Sequence, residues 1–264
     1  MKQNTVLPKG LDLLLNASED ALQVVFADDG RFLCGEEWHL PHMATEMLAP
    51  ALESLLHRLQ IQVSSLRRIA CAHGPGSFTG IRLVLTTAMV LRRIGHMPLA
   101  PLQGLELLGY ELCLSHRIST GTLFWVITHA RRDLVHAQAF RVVAPLRFQP
   151  ISPLSLLAPS ALLPKLSAND VLCGSALSRY PQLFEREAQE KNQRLVPDVR
   201  VGFDALVLAG SLAEYQDHDL EPLYIRPCDA LDNLERLAAR QGIPGEEALS
   251  RYSHMVNRIP ESSI

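Results

Sequence analysis

Hydrophobic and polar positions change their period several times along the chain. Residues 13–18 (LLLNAS), 22–27 (LQVVFA) and 31–40 (RFLCGEEWHL) are short apolar-rich runs split by polar breaks, and they predict three strands. The second break is Asp28-Asp29-Gly30. Asp-Gly is a hairpin signal because glycine takes a positive φ at little cost, so the runs predict an antiparallel meander. Helical spacing follows: Met43, Met47, Leu48, Ala51, Leu52, Leu55, Leu56 and Leu59 recur three or four apart, with Glu46, Glu53, His57 and Arg58 mostly opposite. Pro50 lies inside this helix and should bend it, since it removes an internal hydrogen bond. Residues 67–73 (RRIACAH) predict a strand and 80–94 a second helix. Residues 96–104 (HMPLAPLQG) read as a loop and a lobe boundary. Beyond it the pattern predicts a helix at 105–115, strands at 123–128 and 134–143, a strand entering a glycine turn at 170–176, and helices at 181–192 and 203–213. Three strands followed by a helix are weakly echoed in the second half, which suggests a duplicated α/β architecture.

The helix at 80–94 is over-coated. Ile81, Leu83, Val84, Leu85, Ala88, Met89, Val90, Leu91 and Ile94 cover most of its circumference. Arg82, Thr86 and Arg93 leave one narrow polar stripe, with Thr87 and Arg92 outside it. A helix on the surface of a two-layer domain needs only one apolar stripe. Either both faces are buried within the monomer or one face serves a partner.

Composition narrows the class. The chain has 264 residues, 47% hydrophobic and 20% charged, with net charge −3. That suits one large domain or two small ones. An RNA-binding protein acting alone usually carries a basic excess, which is missing here. The pairs Arg67-Arg68, Arg92-Arg93 and Arg131-Arg132 read as solvated edges. No apolar run approaches the roughly 20 residues that span a bilayer. The N-terminus MKQNTVLPKG has no signal-peptide pattern, so the expected location is the cytoplasm. Five scattered cysteines without a CxxC pair read as reduced, mostly buried thiols.

Candidate chemistry centres on residues 71–82, CAHGPGSFTGIR. A strand, glycine-rich loop and helix in succession form the usual cradle for a phosphate. The spacing fits neither standard version. Gly80 is followed by Ile81 and Arg82 where a P-loop needs Lys-Ser/Thr, and Gly74, Gly76 and Gly80 give GxGxxxG instead of GxGxxG. Pro75 also has no N–H to offer. The plainer reading is a tight turn, with Ser77 or Thr79 capping the helix.

HGPGSFTGIR closely resembles the signature of the TsaB (YeaZ) family, which helps make threonylcarbamoyladenosine in bacterial tRNA. Other segments agree in order: the helix from His42 to Pro50, with Leu48 two residues before the proline, and ITHARRDLVHAQAF at 127–140. Near the C-terminus, Pro222, Tyr224 and Arg226 match a family Pro-x-Tyr-x-Arg segment. The resemblance spans about residues 11–235. It implies an ASKHA fold, the duplicated two-lobe α/β fold of actin, hexokinase and Hsp70. On that basis residues 11–104 are expected as the first lobe, 105–225 as the second and 226–264 as a helical tail packing back on the body. It also implies a non-catalytic subunit that pairs with and activates a TsaD-type transferase acting on adenosine 37. A TsaE-type ATPase would join the assembly, and tRNA would be met only through the complex. The expected partner surface comprises His42, Met47, Leu48, Ala51, Leu55, Ile81, Arg82, Leu85 and Met89. Gly74, Gly76, Ser77, Thr79 and Gly80 would lie near an adenine nucleotide, ADP or ATP, at the interface, with no cofactor or metal of the chain's own. A homodimer in isolation is left open.

The chain departs from the family pattern at its acids. Leu14-Leu15-Asn16 stands for the family's Ile-Asp-Thr, so Leu15 replaces an aspartate. His129-Ala130-Arg131 stands for Asp-Ala-Arg, and His136 occupies a position where tyrosine is common. Magnesium needs hard oxygen ligands, and leucine offers none. Two alternatives are kept. A divergent ASKHA small-molecule kinase would need a phosphate-side acid, which Asp12 and Asp20 match poorly. A metalloprotease-like paralogue would need more than His42 with Glu46, or His39 with His42, and HExxH is missing from the sequence.

Overall fold

The computed structural model describes residues 10–39, 44–131, 133–225 and 238. Residues 1–223 form one unit and residues 224–264 a second. Of the tail expected at 226–264, all but residue 238 lies outside the described residues.

The meander is present as β1 (Leu11–Asn16), β2 (Leu22–Asp28) and β3 (Arg31–Trp38). Asp29 at φ 46° and Gly30 at φ 75° make the β2–β3 turn, the pair of positive φ values that a type I′ hairpin requires. Next come α1 (Ala44–Leu59), which continues through Pro50, β4 (Leu66–Gly74) and α2 (Phe78–Gly95). The expected loop at 96–104 is instead largely strand: β5 (Leu99–Gln103) pairs with β4. Pro101 hid it, and Pro101 is tolerated because β5 is an edge strand of its sheet. The helix α3 (Gly104–His116) follows directly.

The second half repeats the plan. β6 (Leu123–Arg131), β7 (Leu134–Ala144) and β8 (Arg147–Pro150) form another meander, and β9 (Ser155–Leu157) adds to β7. Short α4 (Pro159–Leu162) leads to β10 (Val171–Cys173), α5 (Ser175–Arg179), α6 (Pro181–Lys191), β11 (Arg194–Val196) and α7 (Phe203–Leu212). The first sheet runs β3-β2-β1-β4-β5 and the second β8-β7-β6-β10-β11. In both, an antiparallel meander is extended from its first strand by two parallel strands. This matching order and direction is the duplication, and the fold class is the two-lobed ASKHA type. β8, β9 and β11 are three or four residues long, too short for a period to register in the sequence.

The layers alternate. Leu13, Leu15, Val24 and Phe26 of the first sheet pack on Leu48 and Leu55 of α1 and Val84, Leu85 and Ala88 of α2. Between the sheets, Leu14, Val25, Phe124 and Phe140 enclose Leu108 and Leu112 of α3 and Leu206 of α7. Trp125, Ile127 and Ala137 on the far side of the second sheet are covered by Leu162, Leu177 and Phe184. Each buried side chain of this size contributes about 1.5–3 kcal/mol. α7 comes late in the chain yet packs on β1, β2, β3 and β5 of the first sheet. Among the described residues, no helix is long and apolar enough to cross a membrane.

Candidate functional site

The glycine loop is shaped by contact with its own protein. A Cβ on Gly80 would lie 2.0 Å from the Ala17 carbonyl oxygen, and one on Gly76 would lie 2.0 Å from that of Ser18. The β4–α2 loop therefore presses against the β1–β2 turn, backbone to backbone. Its polar groups are engaged there: the Ser77 N–H donates to the Ser18 carbonyl at 2.7 Å, and the Ile81 N–H to the Ser77 carbonyl at 2.9 Å. Ser77 caps α2, its Oγ accepting from the Gly80 N–H at 3.3 Å. On the other side the Leu223 N–H donates to the His73 carbonyl at 2.7 Å, and a Cβ on Gly74 would sit 2.7 Å from the Leu223 carbonyl oxygen. Thr79 is exposed on the first turn of α2.

The loop fixes the angle of α2, and the outer face of that helix is the surface it presents. Phe78, Arg82, Thr86, Val90 and Ile94 succeed one another four apart, and all are exposed. Phe78 is 44%, Val90 51% and Ile94 61% exposed. The Arg82 guanidinium lies 4.0 Å over the Phe78 ring. The over-coating of the helix thus resolves into a core face and an outward row of mixed character, apolar at Phe78, Val90 and Ile94 and polar at Arg82 and Thr86 between them.

Of the residues expected at a partner surface, Leu48, Ala51, Leu55, Ile81 and Leu85 are no more than 3% exposed. Their place is a correction: they are the seam that docks α1 and α2 on the first sheet. Helical periodicity marks the face with the most regular apolar spacing, and that face is the core. Met47 and Met89 are half-buried at its border, and Arg82 is exposed. His42 lies outside the described residues. Phe78, Val90 and Ile94 were the missed surface residues, and the signal for them was the surplus of apolar residues on α2.

Two of the basic pairs are tied to carboxylates, although Arg93 itself stays largely exposed. Arg67 and Arg68 hold the buried Asp12 carboxylate at 2.7–2.9 Å, and Arg92 and Arg93 reach Asp219 at 3.4 and 2.9 Å. Asp12 sits at the start of β1, away from the glycine loop at the strand's other end.

Leu15 points into the apolar layer between the first sheet and α1/α2. The strand-end position on the opposite face is Asn16, buried and donating to Gln23 Oε1 at 2.8 Å while its Oδ1 accepts from the Ser18 N–H and hydroxyl. In the second half, the His129 N–H of β6 donates to Ser175 Oγ of α5 at 3.0 Å. Glu19 in the β1–β2 turn bonds the same serine; desolvation, then the charge of Asp20, push its carboxyl up to about 7 against that hydrogen bond. His136 is buried, with Nδ1 3.5 Å from the Thr128 hydroxyl. Burial lowers the His73 pKa, opposed by the Glu221 carbonyl 3.3 Å from its Nδ1.

Residues 42–147, from α1 to the first residue of β8 and including the glycine loop, match the family model described as TsaD, tRNA N6-adenosine threonylcarbamoyltransferase. YeaZ from Pseudomonas aeruginosa superposes with a TM-score of 0.66 at 21% identity, over 82% of this chain and 100% of that one. The chain has the YeaZ fold. A Pseudomonas aeruginosa protein described as uncharacterized, with similarity to peptidase YEAZ, agrees at TM-score 0.67 and 20% identity, again over 82% and 100%. No curated protein matches the chain. The TsaB (YeaZ) resemblance of the motif residues is thereby borne out. The chain thus combines a segment similar to the TsaD family model with the YeaZ fold.

Proposed function

We propose that the chain is a non-catalytic accessory subunit in tRNA threonylcarbamoyladenosine synthesis, dimerising with and activating a TsaD-type transferase. The observation that carries the reading is the exposed row Phe78, Val90 and Ile94 on α2, inside the segment that matches the TsaD family. Exposed apolar residues aligned on one helix face favour a helical partner surface. The strand-end positions support a non-catalytic role. Asn16 is committed to Gln23 and Ser18, and neither Leu15 nor His129 supplies the carboxylate that a magnesium phosphate site takes.

In this reading the glycine loop orients an interface helix. An adenine nucleotide, ADP or ATP, would be shared with the partner at the exposed end of α2 near Thr79. A TsaE-type ATPase joins the pair, tRNA is met through the complex, the work is done in the cytoplasm, and a homodimer through the same row forms when the partner is missing. The test is reconstitution. The TsaD-type and TsaE-type proteins of the same organism, a threonylcarbamoyl donor and tRNA are assayed for modified adenosine with and without this chain. Modification that needs the chain supports the reading, and equal modification without it refutes it.

A further inference from the structure

Residues 216–223 follow α7 and form no helix or strand of their own, yet they are tied to the first lobe along their length. The Gln216 N–H donates to the Leu99 carbonyl at 2.7 Å, and the Leu99 N–H to the Gln216 carbonyl at 2.9 Å. This antiparallel bridge covers the start of β5, an edge strand. The Asp217 carbonyl accepts from Arg92, and the Asp219 carboxylate takes Arg92 at 3.4 Å and Arg93 at 2.9 Å. Both arginines stand in the last turn of α2. Leu220 is 4% exposed and belongs to the buried layer between α2 and the first sheet. The Leu223 N–H donates to the His73 carbonyl at 2.7 Å, and His73 Nδ1 to the Glu221 carbonyl at 3.3 Å. His73 leads into the loop that starts α2, so one segment is fastened near both ends of that helix.

These fastenings differ in strength. Leu220 is the one buried residue of the eight. The Asp219 side chain is 39% and that of Arg93 72% exposed, so water and salt weaken the pair. A segment with one buried side chain and a screened ion pair opens well before the core does. We infer that residues 216–223 are a strap that opens and closes as one unit over α2, with Asp219 as its electrostatic latch. Closed, the strap covers the Leu99 edge and fixes the last turn of α2. Open, it frees that turn and uncovers the place of Leu220. The strap thereby governs how Val90 and Ile94 are presented, a consequence that rests on α2 being the partner surface. The opening itself is read on the chain alone, so it stands or falls separately from pairing.

The test is amide hydrogen exchange of the full chain, followed residue by residue by NMR. The N–H groups of Leu99, Gln216 and Leu223 bond across the closed strap and report its opening. Asp219→Ala should speed exchange at all three by one common factor of at least about three. Leu223 is the decisive reporter, because it lies four residues from the latch and bonds to β4. His96, whose N–H closes α2 on the Arg92 carbonyl at 2.7 Å, should speed up with them. Leu15 and Val24, paired between β1 and β2, should keep their wild-type rates and show that the variant is folded. Asp219→Glu should return the slow rates. Raising salt from about 0.05 to 0.5 M should speed the strap amides of wild type relative to Leu15 and Val24, but not those of Asp219→Ala. Unchanged exchange in Asp219→Ala, a rise confined to Gln216, unequal factors at the three amides, a rise shared by Leu15 and Val24, or the same salt response in Asp219→Ala would each overturn the inference.

Discussion

Gly80 Cα and the Ala17 carbonyl oxygen approach so closely that any side chain at residue 80 must displace one of them: a Cβ there would stand 2.0 Å from the oxygen. The atom met is backbone, in a turn between two buried strands, so it cannot swing aside. Gly80→Ala should therefore lift the start of α2 from the β1–β2 turn, at a cost of about 1–3 kcal/mol, the range for overpacking a packed site. Denaturant unfolding measures it, and a midpoint shift under about 0.5 kcal/mol would mean the loop relaxes freely.

The same helix separates a folding role from a surface role. Leu85 is 2% exposed, so a charge there should unfold the first lobe, and its loss of pairing would say nothing about the interface. Val90→Glu with Ile94→Glu alters side chains that are 51% and 61% exposed. Stability should change by less than about 0.5 kcal/mol per site. Far-UV circular dichroism and thermal melts check this before any binding is measured.

Asp12 is buried and receives three hydrogen bonds from Arg67 and Arg68, while Arg68 also lies 4.3 Å over the Tyr215 ring. Removing the carboxylate leaves two guanidinium groups without their shared partner. Asp12→Ala should cost about 1–3 kcal/mol, the scale for lost charge-assisted hydrogen bonds, since Arg67 and Arg68 are part-exposed and Arg67 keeps Asp29 at 3.7 Å. Urea titration against wild type reads it directly.

Glu19 gives the fold a pH dependence. Its carboxyl is raised to about 7 in the folded chain, by burial first and Asp20 second. An unfolded glutamate ionises near 4.3. Between these values the folded state holds the extra proton, so stability falls as pH rises. The loss is complete above about 7 and amounts to roughly 1–3 kcal/mol. Glu19→Gln should flatten the stability profile between pH 5 and 8 and raise the melting temperature at pH 8. A wild-type profile in the variant would remove Glu19 as the cause.

How much of this was legible in the sequence depended on segment length and on which surface an apolar residue faces. The Asp29-Gly30 turn, α1, α2 and the β6–β7 pair carry strong periods and were readable. β5 was not, because Pro101 and the short run between Met97 and Gln103 look like a connection. The motif residues 74–82 mark the loop and helix start that pack on the β1–β2 turn. Why the glycines are there was invisible, since the carbonyls they make room for belong to Ala17 and Ser18, some 60 residues earlier. The surface of α2 was half-legible. The surplus of apolar residues announced a second face, yet Leu85 and Val90 look alike until the sheet is in place to bury one of them.

The most direct test of the central claim is light scattering coupled to size exclusion. This chain is mixed with the TsaD-type protein of the same organism, with and without ADP or ATP. The account predicts a one-to-one heterodimer that Val90→Glu with Ile94→Glu abolishes while the variant stays folded. No complex under any of these conditions, or a complex indifferent to those two charges, would contradict it.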